Sequence, residues 1–284
     1  MNCDYNDERD KAAPYGTTDN MTCSHDHINH SSRQMINTDV SLDGTVVPPI
    51  FDSRQVKAFF TDMTVGIERD KVYALIGREV DVYMPTQKHT DLSVIIRREH
   101  RRTQGADTTE MPNVDISSDN CVADAVITDR EGILIGVRVA DCVPIVVFDP
   151  RRRVIAAIHA GWRGVAQGIL KTVITSLCND FFSRPEDILL AVGPSIKSCC
   201  YEVGPDVRDE IQRSTGAGNY DRLEAGRWYI DLASANLYQA LSVGLCREKI
   251  WISPECTFCL PDRYHSFRRN KTSTGRQGGF IGMI

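Results

Sequence analysis

The distribution of apolar and polar positions divides the chain in two. Residues 1–48 are polar and short of large aliphatic side chains, with Asn, Asp, Ser, Thr and His dominating. Such a segment buries too little apolar surface to offset the entropy of ordering, so a loosely ordered arm is expected over 1–48 and a single domain over 49–284. Beyond Pro49 short apolar runs begin. Strands are predicted at residues 56–60, 80–84 and 92–96, with a helix over 68–76 and a polar loop over 100–120. Three Val- and Ile-rich runs then crowd together, Ile133–Val139, Val143–Phe148 and Val154–Ile158, with Asp149 to Arg152 as a hairpin turn between the last two.

Helical spacing follows. Val165, Ile169, Leu170, Val173, Ile174 and Leu177 recur at intervals of three and four, which predicts one amphipathic helix. A strand is expected over Ile188–Val192. Gly204, Pro205 and Asp206 open a second helix, with proline suited to its first turn. Asp231 is a good N-cap for a third, which carries Leu237, Leu241 and Leu245 four apart. A strand at residues 250–253 ends the pattern, and the Gly-rich tail over 268–279 fits no element. Strands precede helices without a regular βαβ alternation, so the class is α+β with a mixed sheet.

Composition narrows the function. A net charge of −5 argues against a nucleic-acid binder, and no apolar run approaches the length of a membrane span. The first sixteen residues are acidic and polar where a secretory signal would be basic and then apolar, so a cytoplasmic protein is expected. The ten cysteines are not spaced as in a small disulfide scaffold. Cys256 and Cys259 form a C-x-x-C pair, but no second pair stands at zinc-finger spacing, which leaves packing, pocket lining or a redox dithiol. Cys23, His25, His27 and His30 lie in the polar arm and read as a solvated tail.

The candidate chemistry sits at strand ends. Asp141 and Cys142 fall at the junction of two buried strands, and His159 where a third hands over to a helix. A hairpin brings Cys142 and His159 within reach of one point, and a thiolate with an imidazole suits zinc; the same pair can equally be structural. Gly161 and Gly164 allow close backbone approach, and Arg163 at the first turn of a helix offers an anion site.

Four ordered stretches carry a resemblance: DCVPIVVFDP at 141–150, VIAAIHAGWRG at 154–164, GPSIKSCCYEVGPDV at 193–207 and CTFCLPDRYHSFRRNKTSTGR at 256–276. Together they resemble the YfiH-type laccase-domain family over residues 53 to 284. Its members have been described as peptidoglycan-editing factors and as purine nucleoside enzymes. The resemblance implies a four-layer α/β/β/α core with mixed sheets and one zinc ion per chain, held by His89, Cys142 and His159. His89 matches a Gln-x-His motif through Gln87, although Thr90 replaces the family's glycine. A further departure is Asp62, where many members carry arginine.

The resemblance further implies a small-molecule nucleoside as substrate, with inorganic phosphate as co-substrate, in a monomer or homodimer. The expected activities are phosphorolysis of adenosine or inosine and deamination of adenosine. Catalytic roles are expected for Cys142, His159, Asp141 and Arg163, with Asp141 accepting a proton or orienting a metal ligand. Substrate contacts are expected from Gln87, Ser195, Cys200, Glu202, Arg269 and Arg276, with His265 bordering the pocket. Amidase-like editing of muropeptide precursors and a non-catalytic binding role are the alternatives. Copper, suggested by the family's older name, is disfavoured because only His89, His100, His159 and His265 lie outside the arm.

Overall fold

The computed structural model describes residues 44–98, 121–271 and 274–284. The expected arm, as far as residue 43, and the whole of the expected loop over 100–120 lie outside these residues.

Two mixed sheets stack face to face. Numbered in chain order, the first has the strand order β1 (Thr45–Val46), β2 (Lys57–Thr61), β14 (Gln277–Gly282), β6 (Ile133–Val139) and β3 (Asp81–Tyr83). The second runs β13 (Ile250–Ile252), β9 (Leu189–Val192), β7 (Val143–Asp149), β8 (Val154–Ala160), β5 (Ala125–Thr128) and β4 (Ser93–Ile96). Only β3 with β6, β4 with β5 and β13 with β9 pair in parallel; the other pairs of both sheets are antiparallel.

The layers explain the sequence pattern. Helix α1 (Arg69–Ile76) covers the outer face of the first sheet through Val72, packed with Phe59, Leu134 and Phe280. Val137, Ile135, Val146 and Ala157 fill the space between the sheets. On the outer face of the second sheet lie α2 (Trp162–Gln167), α3 (Ile169–Phe181), α4 (Pro205–Thr215) and α5 (Leu232–Ser242), through Val165, Val173, Ile211 and Ala235. Strands β7 and β8 are therefore buried at every position, which is why they read as unbroken apolar runs rather than alternating ones. The expected mixed α+β class and four-layer order are both present.

Four local differences have clear causes. The helix expected through Val165 and Leu177 is two helices, because Gly168 takes a left-handed φ of 79° and its N–H closes the first on Gly164 and Val165. In α5 the Asp231 cap is present, accepting from the N–H groups of Ala233 and Ser234, yet the buried face is rotated. Leu241 is exposed, while Asn236 and Gln239 are buried and bond to the carbonyls of Leu232 and Val165. A small antiparallel sheet, β10 (Glu202–Val203), β12 (Arg227–Ile230) and β11 (Asp221–Glu224), follows α3 in the chain and was not legible as strands.

The fourth difference is the largest. The unassigned Gly-rich tail ends in β14, a fully buried strand between β2 and β6, preceded by the short helix α6 (Phe267–Asn270). Its glycines make room for Phe280, whose ring stacks on Phe59 at 5.4 Å. A Cβ at Gly136 or Gly278 would come within 2.5 or 2.4 Å of that ring. Replacing Phe280 by Ala is expected to cost about 3–5 kcal/mol, measured by urea denaturation; a loss below about 1 kcal/mol would show that the end of the chain does not carry the core.

Candidate metal centre

Three adjacent strands assemble the centre. Cys142 immediately precedes β7, His159 lies one residue from the end of β8, and Asp124 immediately precedes β5. The register pairs Val143 with Ala160 and Ala125 with Ile158, so all three residues share one end of the second sheet. The backbone N–H of His159 donates to the Asp124 carbonyl at 2.7 Å. His89 arrives separately, on the segment after β3, with a left-handed φ of 61°.

Asp124 joins these elements. Its side chain is 0% exposed and accepts the N–H groups of Lys88, His89 and Thr90 at 3.1, 3.0 and 2.7 Å. It also accepts the Thr90 hydroxyl at 2.7 Å and His159 Nδ1 at 2.7 Å. With Nδ1 so engaged, His159 Nε2 is the nitrogen left to bind a metal. Thr90, where the family has glycine, thus contributes a hydroxyl to the clamp.

The donor atoms of His89, Cys142 and His159 lie within 4.8 Å of one another. Cys142 Sγ is 3.9 Å from His89 Nε2, and the two imidazoles meet edge to face with centroids 4.8 Å apart. One thiolate and two imidazoles suit a borderline-soft divalent ion and leave one position of a tetrahedron open. Gly161 gives this group its room: a Cβ there would lie 2.8 Å from His89 Cδ2 and 3.1 Å from Cys142 Sγ.

Charge is concentrated at this point. Burial raises the Cys142 thiol, but His159 and His89 beside it outweigh burial and hold it below the usual thiol range. Burial opposes charge on His159 too, yet Cys142 and Asp124 push its pKa up. Burial works against the Asp124 carboxylate, while bonds from His159 and Thr90 hold it well below the usual range. The shifts of Cys142, His159 and Asp124 thus favour a positive charge between the thiol and the carboxyl, a place that a cation bound by the three donors would fill.

A cavity of about 380 Å³ opens onto the centre, within the range of small-molecule sites, about 300–1,000 Å³. Cys142 and His159 line it from the second sheet; Gln87, His89, Arg138 and Arg276 come from the strands of the first sheet or the segments beside them, and Phe267 from α6. Of the residues expected to contact substrate, Gln87 and Arg276 are the two in this wall. Gln87 also exchanges two 2.8 Å bonds with the Arg138 backbone, which anchors the segment bearing His89.

The other expected contacts lie elsewhere. Arg163 does not line this cavity: its guanidinium stacks on Trp162 at 4.3 Å and borders a separate depression with Glu210 and Arg213. Asp141 is turned away from the metal group, its oxygens taken by Thr257 Oγ1, Ser266 Oγ and the Arg268 N–H. Ser195 is fully buried and pairs in a bridge with Cys256, while Cys200 lies against Cys199 and Cys259. Glu202 is paired with Arg227, and Arg269 donates to the carbonyls of Phe258 and Tyr264. His265 packs beside Gly275 rather than in the wall. Asp62 caps its own turn by accepting from Thr64.

Sequence reading missed Asp124, Arg138 and Phe267. Asp124 had a usable signal, since it is an acidic residue inside the apolar run from Cys121 to Ile127. Arg138 and Phe267 come to one wall only when β14 pairs with β6, a contact between segments far apart in sequence.

Two substitutions test the centre. Gly161→Ala suits the backbone, whose φ is −72°, but drives a methyl into His89 and Cys142. Metal content should fall with little change in urea stability; undiminished metal would refute the crowding argument. Asp124→Asn puts an amide NH₂ among N–H donors and should cost about 3–5 kcal/mol at pH 7. The depressed carboxyl stabilises the fold fully above its unfolded value of about 4 and loses that contribution as pH falls through its folded value. The urea midpoints of wild type and variant should therefore begin to converge only below about pH 4 and approach each other further as the pH falls, and equal midpoints at neutral pH would contradict this.

Comparison with known proteins identifies the family. Residues 44–284 match a family described as multi-copper polyphenol oxidoreductase laccase. A purine nucleoside phosphorylase of Aquifex aeolicus is 32% identical over 216 residues, covering 76% of this chain and 89% of its own. Adenosine deaminase RL5, from an unknown prokaryotic organism, is 33% identical over 199 residues, 69% of this chain and 72% of its own. The crystal structure of the hypothetical protein YfiH of Bacillus licheniformis superposes with a TM-score of 0.72 at 27% identity, over 85% of this chain and 97% of that one. The chain belongs to the YfiH-type laccase-domain family.

Proposed function

We propose that this chain is a zinc-dependent purine nucleoside enzyme that cleaves adenosine and inosine with phosphate and deaminates adenosine. The observation that carries the reading is the joining of a His-Cys-His metal group to a cavity walled by two guanidinium groups and an aromatic ring. The names of two relatives, a purine nucleoside phosphorylase and an adenosine deaminase, point the same way.

His89, Cys142 and His159 would hold the zinc. Zinc so held supplies a Lewis acid and lowers the pKa of a bound water to about 7. The rest falls to the chain's own residues. Asp124 holds His159 Nδ1 and the segment bearing His89, so the ligands need no rearrangement when substrate arrives. Phe267 offers an apolar face to a purine. Arg276 and Arg138 each use Nη1 on nearby carbonyls, which leaves other N–H groups to bind an anion. In phosphorolysis a phosphate oxygen bonds to C1′ as the C1′–N9 bond breaks, and its electron pair leaves with the purine, which takes a proton. In deamination a water oxygen adds at C6 and ammonia departs. Arg163 does not line this cavity and is given no direct part in either reaction.

The test is incubation of the zinc-analysed full chain with adenosine and inosine, with and without phosphate. Ribose 1-phosphate and free base should form only with phosphate, and ammonia should be released from adenosine. Cys142→Ala should abolish both reactions, whereas Arg276→Ala should raise the KM for phosphate about 10–100-fold and spare deamination. Absence of turnover on either nucleoside at full zinc loading would overturn the reading. Activity that survives metal removal but not alkylation of Cys142 would replace it with thiol chemistry.

A further inference from the structure

A second thiol cluster lies apart from the cavity, on two neighbouring turns. One is the turn Lys197–Tyr201 after β9, where the N–H groups of Cys200 and Tyr201 donate to the Lys197 carbonyl. The other is Cys256–Leu260 after β13, closed by a bond from the Leu260 N–H to the Cys256 carbonyl. β9 and β13 are parallel neighbours, and their alignment continues past the strands as the Ser195–Cys256 bridge and a bond from the Thr257 N–H to the Ser195 carbonyl. The C-x-x-C pair, which lacked a partner pair by spacing, thereby meets Cys199 and Cys200.

All four sulfurs lie within 4.8 Å of one another. Cys200 and Cys259 are 3.3 Å apart, Cys199 and Cys200 3.5 Å, and Cys199 and Cys259 3.6 Å. The edge of a zinc–thiolate tetrahedron is about 3.8 Å, for bonds of about 2.3 Å. A disulfide needs about 2.05 Å and would join only one pair, yet here three sulfurs are nearly equidistant with the fourth beside them. All four are free thiols.

Burial works against charge on Cys199 and Cys200, so a tetrathiolate here calls for a bound cation, and nearby donors favour the thiolate at Cys256. The backbone N–H groups of Lys197 and Cys259 bond to the Cys256 sulfur. The Lys197 ammonium lies close enough to Cys199 and Cys256 to interact with both. Four thiolates around a divalent ion carry excess negative charge, and these groups offset it.

We propose that Cys199, Cys200, Cys256 and Cys259 bind a second, structural zinc ion. Four protein ligands leave no open position, so the ion is a clasp rather than a reaction centre. It fastens the turn after β9 to the segment that leads into α6, where Phe267 meets the cavity. Neither Asp124 nor the His-Cys-His group takes part, so the clasp stands or falls independently of the proposed activity.

The test is zinc analysis by mass spectrometry of the full chain, purified with reductant and without chelator. Cys256→Ser/Cys259→Ser should lose one zinc atom per chain relative to wild type, and combination with Cys142→Ala should lose two. Should the double variant fold poorly, the wild type decides: in native, zinc-loaded protein the four thiols should resist iodoacetamide and become reactive in step with zinc removal by a chelator. Unchanged zinc content in a folded double variant would overturn the proposal. So would free alkylation of these thiols in zinc-loaded protein, peptide mapping that finds them paired as disulfides, or iron in place of zinc.

Discussion

A single buried carboxylate holds the centre in register. Asp124 is fully enclosed, so its charge must be met entirely by the chain, and the donors that meet it come from two places. His159 belongs to the second sheet, and the 88–90 segment follows a strand of the first. One desolvated charge therefore ties the sheets together at the point where the ligands converge. The left-handed backbone at His89 is tolerated because three successive N–H groups are aimed at Asp124.

Asp141, the neighbour of Cys142, has a comparable role. It too has a left-handed φ, of 82°, and its carboxylate gathers Thr257, Ser266 and the Arg268 N–H from the last thirty residues of the chain. The two aspartates work on different partners: Asp124 fixes the ligands, and Asp141 brings in the segment that supplies Phe267 and leads to Arg276. That segment ends in β14, which the first sheet requires between β2 and β6. Core formation and closure of the cavity wall are thus one event, since the strand that completes the sheet begins immediately after Arg276.

Thiols are used in two settings that differ in accessibility. Cys142 sits between two imidazoles beside an open cavity, where a coordination position stays free for chemistry. The four thiols after β9 and β13 sit against one another, away from the cavity, where a bound ion would be closed off by sulfur. The parallel pairing of β9 and β13 decides this second arrangement, because parallel neighbours end side by side at the same edge.

Much of the molecule was legible in the chain itself. The Val- and Ile-rich runs marked β6, β7 and β8, because strands covered on both faces need apolar side chains at nearly every position. Asp231 marked its helix because capping is local chemistry. The hairpin placed Cys142 beside His159, since register follows from a short turn. What the chain alone did not reveal depends on contacts between distant segments. A glycine-rich tail becomes a central strand only because Phe280 needs space that Gly136 and Gly278 leave. Arg163 reads in sequence as an anion site, yet its guanidinium lies on the neighbouring Trp162 ring and beside α4, outside the cavity wall. Asp124 became the anchor of the centre, and Cys199 the neighbour of Cys259, only once strands far apart in sequence were laid side by side.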